Sequence, residues 1–192
     1  MTRLETQRLV LRGFEERDAL DLYGFTRSDR VGHPAGLSPH RNLEEARRAV
    51  RSMIEKKEAW AIVNRETGRV IGCVSLQPDA KRSIESARAI GYMIAEAFWG
   101  RGLAQEAVRA VVRHAFLGMG LDIVSAVCFP FNDRSRRVVE KCGFRFEGTL
   151  RMARRLYTGE VCDTDCFSIT RDEFEALGSP PTAPFPSSPG RI

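Results

Sequence analysis

The stretch Trp99-Gly100-Arg101-Gly102-Leu103-Ala104-Gln105-Glu106-Ala107 decides how this chain is read. It lies between an extended apolar run and an amphipathic helical pattern. A strand, a glycine loop and a helix start, in that order, build a socket for an anion. The first N–H groups of a helix have no internal partner, and the macrodipole makes that end positive. Glycines let the backbone come close to an anion and adopt dihedrals that other residues avoid. The segment therefore points to a phosphate-bearing ligand. A short G-x-G also occurs as a tight strand–helix connection that binds nothing, so the neighbouring sequence has to decide. A P-loop nucleotide site does not fit, because no Gly-Lys-Ser/Thr follows.

Working outward, Ala87–Ala95 reads as the strand before the loop. Leu103 to Phe116 reads as the helix after it, burying Ala104, Ala107, Val108, Val111, Val112 and Ala115 at helical spacing. Gly118 and Gly120 stop that helix. Asp122 to Phe129 is almost continuously apolar from Ile123, as a central strand is. Asn132-Asp133 opens a short helix that ends at Gly143. Phe144–Leu150 and Val161–Thr170 read as a closing antiparallel pair.

Toward the N-terminus, Arg8 to Arg12 alternates as a first strand, and Glu16 to Thr26 has helical spacing. Val31 to Arg41 carries Gly, Pro, His33 and His40 and reads as a loop. Asn42 with Glu45 starts a second helix in the manner of a capping box. Trp60–Val63 and Val70–Leu76 form a hairpin around Glu66-Thr67-Gly68. The order predicts an α/β chain with a mixed sheet and helices on both faces. Doubly wound folds alternate strand and helix more strictly.

Composition sets the outer limits. The chain has 192 residues, 43% of them apolar, enough for one core. Residues 1–177 read as one domain, and Gly178 to Ile192, rich in Pro and Ser, as a disordered tail. No apolar run reaches transmembrane length, and the N-terminus lacks the core of a signal peptide. The five cysteines are odd in number and scattered, which is not a disulfide framework. Cys162 and Cys166 share a strand face with no second pair or nearby histidine, so no metal is expected. These features point to a cytoplasmic protein. The net charge of +5 suits anionic small molecules or a ribosomal surface. The arginines are dispersed and no aromatic-basic motif appears, so nucleic acid is not an expected partner.

Four segments in order resemble the GNAT superfamily of acetyltransferases. They are Glu5-Thr6-Gln7-Arg8-Leu9-Val10-Leu11-Arg12, Ile90-Gly91-Tyr92-Met93-Ile94, the glycine loop, and Asn132-Asp133-Arg134-Ser135 running through Lys141-Cys142-Gly143-Phe144. In the loop, Gly102 and Ala104 fill the last two places of the family's R/Q-x-x-G-x-G/A pattern. Trp99 stands in its first place, a departure typical of the RimJ/RimL-type branch of ribosomal-protein alanine N-acetyltransferases. The resemblance covers Thr6 to Leu177. It implies the GNAT fold: a mostly antiparallel sheet of six or seven strands whose central strands splay apart.

The resemblance also assigns chemistry. Acetyl-CoA is the implied co-substrate. The N–H groups of Arg101, Gly102, Leu103 and Ala104 would take its pyrophosphate. Backbone groups of Met93, Ile94 and Ala95 would pair with the pantetheine arm as though it were a strand, and Asn132 would contact that arm. A backbone N–H at the divergence, from Ile94 or a neighbour, would donate to the developing oxyanion. Many relatives use a tyrosine to protonate the departing thiolate. That place holds Val139 here, and Ser135 matches the serine proposed instead in RimL-type enzymes. Asn132 and Ser135 also suit a plain helix start.

Glu96, just past the cofactor strand, is a candidate general base acting through water. Asp163 matches an acidic position common in the branch. His33 and His40 lie where this family shapes its acceptor site, while His114 and Cys128 earn no catalytic role. The implied acceptor is a protein N-terminal α-amine, or alternatively a polyamine, amino acid or antibiotic. A non-catalytic acyl-CoA-binding module is the rival class, supported by Val139 and opposed by Ser135. Dimers are common in the branch, which allows a homodimer, but no segment specifies its interface.

Overall fold

The computed structural model describes residues 1–178. The elements run β1 (Leu4–Glu5), β2 (Leu9–Gly13), a 3-10 turn at Glu16–Asp18, α1 (Ala19–Thr26) and α2 (Asp29–Gly32). A second 3-10 turn at His33–Ala35 leads to α3 (Leu43–Lys56), β3 (Ala59–Asn64), β4 (Val70–Pro78) and β5 (Ala87–Ile94). A third at Glu96–Phe98 precedes α4 (Leu103–Leu117), β6 (Ile123–Cys128) and α5 (Asp133–Lys141). β7 (Arg145–Arg155), β8 (Val161–Thr170) and α6 (Arg171–Gly178) follow.

The strands form one sheet of eight, in the order β1-β2-β3-β4-β5-β6-β8-β7. Neighbours are antiparallel except β5 and β6, which run parallel. A parallel pair needs a crossover, and α4 supplies it. The α4 stripe of Ala107, Val108, Val111, Val112 and Ala115 is fully buried on one sheet face, against residues such as Val124 and Phe167. Each fully buried valine contributes about 1.5–3 kcal/mol. The other face is covered by α1 and α3, whose Leu22, Phe25, Ala46 and Val50 pack on Ala59, Ala61, Val70 and Cys73. α3 begins as its sequence dictates, with Asn42 Oδ1 accepting the Glu45 N–H at 3.0 Å.

β4 and β5 approach unusually closely near their ends. A Cβ at Gly72 would sit 2.3 Å from the Met93 carbonyl, so only glycine fits opposite Ile94.

The mixed α/β sheet with helices on both faces is as expected, with four differences in detail. The sheet has eight strands rather than six or seven, because Leu4–Glu5 pairs with Val10–Leu11 as a strand too short for periodicity to reveal. The expected loop of residues 31–41 contains the end of α2 and the His33–Ala35 turn, closed by Gly36 at φ 70°. β7 continues past Leu150 to Arg155 through an irregularity where Met152 takes φ 50°. Gly178, the first residue of the expected tail, ends α6, and residues 179–192 lie outside the described residues.

Candidate active site

The site grows from one parallel pairing that stops early. β5 and β6 pair from Ala87↔Ile123 to Ile90↔Ala126. Beyond that, β5 stays with β4 as far as Ile94↔Gly72, while β6 stays with β8 as far as Cys128↔Asp165. Gly91–Ile94 and Val127–Cys128 therefore form the two lips of a wedge. Unpaired strand edges of this kind present backbone donors and acceptors to whatever enters.

The ladder fixes which groups face the wedge. The Ala95 N–H donates to the Ile71 carbonyl at 2.7 Å, which makes Gly72↔Ile94 a non-hydrogen-bonded pair. Alternation then turns the backbone groups of Ile94 and Tyr92 toward the wedge and those of Met93 toward β4. Ala95 is also engaged elsewhere, since its carbonyl accepts the Phe98 N–H at 2.9 Å. The Ile94 carbonyl accepts the Trp99 indole N–H at 2.7 Å. Of the expected trio Met93, Ile94 and Ala95, it is the Ile94 N–H that the fold presents to the wedge.

The glycine loop closes the mouth of the same wedge. Gly100 and Gly102 take φ 74° and 73°, where a side chain is strained and glycine is not. Gly102 is the N-cap of α4, and no side chain caps that helix start. The N–H groups of Leu103, Ala104 and Gln105 thus open the helix toward solvent. The loop is braced from the segment just before β2. Arg8 donates from Nη1 to the Arg101 carbonyl at 2.9 Å and from Nε to Glu106 Oε2 at 2.7 Å. Glu106 also accepts the Thr6 hydroxyl at 2.6 Å and the Arg8 N–H at 2.9 Å. Burial pushes the Glu106 pKa up, but these bonds outweigh it and hold the carboxyl below its ordinary value. The Arg101 guanidinium lies over the Phe98 ring, 5.4 Å from its centroid.

α5 follows the β6 lip. Asn132 Oδ1 caps it by accepting the Ser135 N–H at 3.1 Å, and its Nδ2 donates to the Pro34 carbonyl at 2.8 Å. Ser135 Oγ lies 2.9 Å from the Tyr92 hydroxyl and accepts from Cys128 Sγ at 3.3 Å. Burial raises the pKa of both Tyr92 and Cys128, so the phenol and the thiol keep their protons. Tyr92 belongs to the segment Ile90–Ile94 that resembles the family, but the sequence alone gives its side chain no role. It sits in an alternating strand, where an aromatic reads as core.

Glu96 follows at the start of the 3-10 turn, ion-paired with Arg30 of α2. Trp99 carries the Arg134 guanidinium 4.4 Å from its ring and that of Arg30 at 6.0 Å. His33 stacks on Phe131 at 5.2 Å and meets Tyr157 edge-on at 6.2 Å, making an aromatic rim beside the His33–Ala35 turn. The other candidates lie elsewhere. Asp163 accepts the Met152 N–H at 2.8 Å and holds the β7 irregularity. His40 pairs with the Thr26 hydroxyl at 2.7 Å, and His114 packs edge-on against Trp60 at 6.0 Å. Among the described residues, no three His, Cys, Asp or Glu side chains gather as a metal site would require.

Residues 8–145 match the model of the Acetyltransferase (GNAT) domain. An uncharacterized N-acetyltransferase of Bacillus subtilis (strain 168), YoaA, is 32% identical over 173 residues, covering 88% of this chain and 96% of its own. A GNAT-family acetyltransferase from Bacillus anthracis superposes with a TM-score of 0.81 at 22% identity, over 89% of this chain and 99% of that one. The ribosomal-protein-S5-alanine acetyltransferase of Vibrio fischeri gives 0.74 at 22% identity, over 91% and 99%.

Proposed function

This chain belongs to the GNAT acetyltransferase family, and on that premise we propose that it acetylates a protein N-terminal α-amine by direct attack on acetyl-CoA. The family makes it an acyltransferase that uses acetyl-CoA. The observation that carries the reading is the wedge opening beside an uncapped helix start. The residues present fit the donor. Open space surrounds Gly100, and no side chain hydrogen-bonds as a cap at the α4 N-terminus. Arg101, Gly102, Leu103 and Ala104 would hold the pyrophosphate, and Ile94 the strand-like arm, with Met93, Ala95 and Asn132 shaping the lips.

Acetyl-CoA supplies the acyl group and a thiol leaving group. The chain supplies orientation, which accounts for much of the rate in reactions of this kind. In our reading the Tyr92 N–H, nearer the vertex than Ile94, donates to the acyl oxygen. Ser135 holds the proton for the departing sulfur. Glu96 is the general base, accepting the amine's proton through water. Cys128 keeps its proton and packs, so no acyl-enzyme is needed.

The charge of the mouth supports a peptide acceptor over a polyamine. A polycation wants unpaired carboxylates, yet Glu96 is paired with Arg30 and Asp165 with Arg136, and Tyr157 donates to Asp29. The RimJ/RimL-type branch and a cytoplasmic setting belong to the same proposal. Five free, buried cysteines suit a reducing compartment. The test is thiol release from acetyl-CoA across peptides with free or blocked N-termini, polyamines, amino acids and aminoglycosides. Release with free N-termini alone is expected. Transfer confined to small amines would overturn the acceptor, and binding without transfer to any amine would overturn the mechanism.

A further inference from the structure

We propose that Tyr92 is a positioning residue of this site: a strut across the wedge that directs the Ser135 hydroxyl. The inference rests on the acid role read for Ser135. Tyr92 belongs to the β5 lip, whereas Ser135 belongs to α5, which follows the β6 lip. The phenol spans the two, lying 2.9 Å from Ser135 Oγ and donating to the Ser135 carbonyl at 3.1 Å. β5 and β6 share no ladder pairs at this depth, so the phenol fastens lips that the backbone leaves apart.

The strut also constrains a proton. A serine hydroxyl has one proton and two acceptor positions. The Cys128 thiol donates into one of these at 3.3 Å. The phenol has one proton to give; when it turns from the Ser135 carbonyl to Oγ, both positions are filled and the serine proton is left for a third partner. Burial keeps the phenol protonated and able to donate throughout the neutral range. An acid that must deliver its proton to a departing sulfur needs this arrangement. Ser135 is further fixed by its N–H bond to Asn132 Oδ1 at 3.1 Å, so the helix start cannot drift away from the strut.

Tyr92→Phe keeps the ring and removes the hydroxyl. Steady-state kinetics on the full chain, with Ser135→Ala and the double variant in parallel, tests the proposal. For Tyr92→Phe we expect kcat to fall about tenfold with the KM for acetyl-CoA within about twofold, the loss of one or two hydrogen bonds at the reacting end. The double variant should be no slower than Ser135→Ala alone, because the strut acts through that hydroxyl. Thermal melting separates lost folding from lost positioning, and Tyr92→Phe should melt within a few degrees of the parent. If Ser135→Ala is slow while Tyr92→Phe turns over at the parental rate, or if their losses multiply, the strut is overturned and the acid role stands. If Ser135→Ala keeps the parental kcat, the acid role is overturned and the strut with it.

Discussion

The two ends of the β5–β6 pair are built from the same strands and behave in opposite ways. At the closed end, Ala87–Ile90 ladder onto Ile123–Ala126 and side chains tie the surroundings together. The buried Asp79 accepts from the Ser125 hydroxyl and from Arg82 Nη1, each at 2.6 Å. Arg82 continues to both Glu147 oxygens at 2.6 and 2.7 Å, and Ser168 joins Glu147 at 2.8 Å. One network thus links the segment after β4 with β6, β7 and β8. At the open end, the same strands part, and Tyr92 from β5 and Cys128 from β6 both meet Ser135. The closed end satisfies its polar groups within the chain. The open end leaves backbone donors for a ligand. Rigidity at one end is what makes the gap at the other a defined shape.

The largest expected effect comes from breaking the closed end. Asp79→Ala leaves Arg82 and Ser125 without their buried partner and should cost about 3 kcal/mol in urea unfolding. A loss below about 1 kcal/mol would mean that the network does not hold the junction. Acid should find the same group. Burial alone would raise the Asp79 pKa, but its hydrogen bonds from Ser125, Lys81 and Arg82 outweigh that and hold it at about 2. A depressed pKa gives stability that is complete above the unfolded carboxyl value of about 3.9 and lost as pH falls through the folded one. Between those two values the parent should lose stability more steeply than Asp79→Asn, by denaturant midpoints measured at each pH.

At the open end, Ser135→Ala should lower kcat about 100-fold and leave acetyl-CoA binding within about twofold, as loss of a general acid does. Equal single-turnover rates for variant and parent would remove the role. Gly102→Ala acts at the loop. Its φ of 73° strains a side chain by about 1–2 kcal/mol, while the nearest atom to the added Cβ, Arg8 Nη2, is a tolerable 3.6 Å away. The KM for acetyl-CoA should rise about tenfold, and isothermal titration with CoA should show the same shift. The smallest effect is expected for Trp99→Phe, which removes the bond to the Ile94 carbonyl and should raise that KM about threefold.

The open end was far more legible in the sequence than the closed one. Gly100, Gly102 and the periodic apolar stripe of α4 announce a strand–loop–helix socket, and Asn132 three residues before Ser135 announces a capped helix. Those are local signals. Asp79 and Arg82 are three residues apart, but Ser125 lies 46 residues from Asp79 and Glu147 lies 65 from Arg82, and each alone reads as a surface charge or a strand serine. Their meeting is a product of strand order. Tyr92 escaped for a related reason, because its partner lies 43 residues away on a different element. Ala95 and Met93 show a finer limit. Strand membership was readable, but which residues turn toward the wedge depends on a register set by the Ala95–Ile71 bond. α2 was obscured by Gly32, Pro34 and Gly36, which read as loop, and β1 was too short to show a period.

The indole of Trp99 has one more consequence. By engaging the Ile94 carbonyl, it leaves residue 94 to present its N–H to the gap, with the next acceptor on that lip at the Tyr92 carbonyl. A strand-like arm carries both kinds of group in a fixed sequence along its length. It can satisfy such a lip in one polarity and one step of translation, with its carbonyl against residue 94. The tryptophan therefore works as a reading frame, which settles how far the ligand slides in before the chemistry begins.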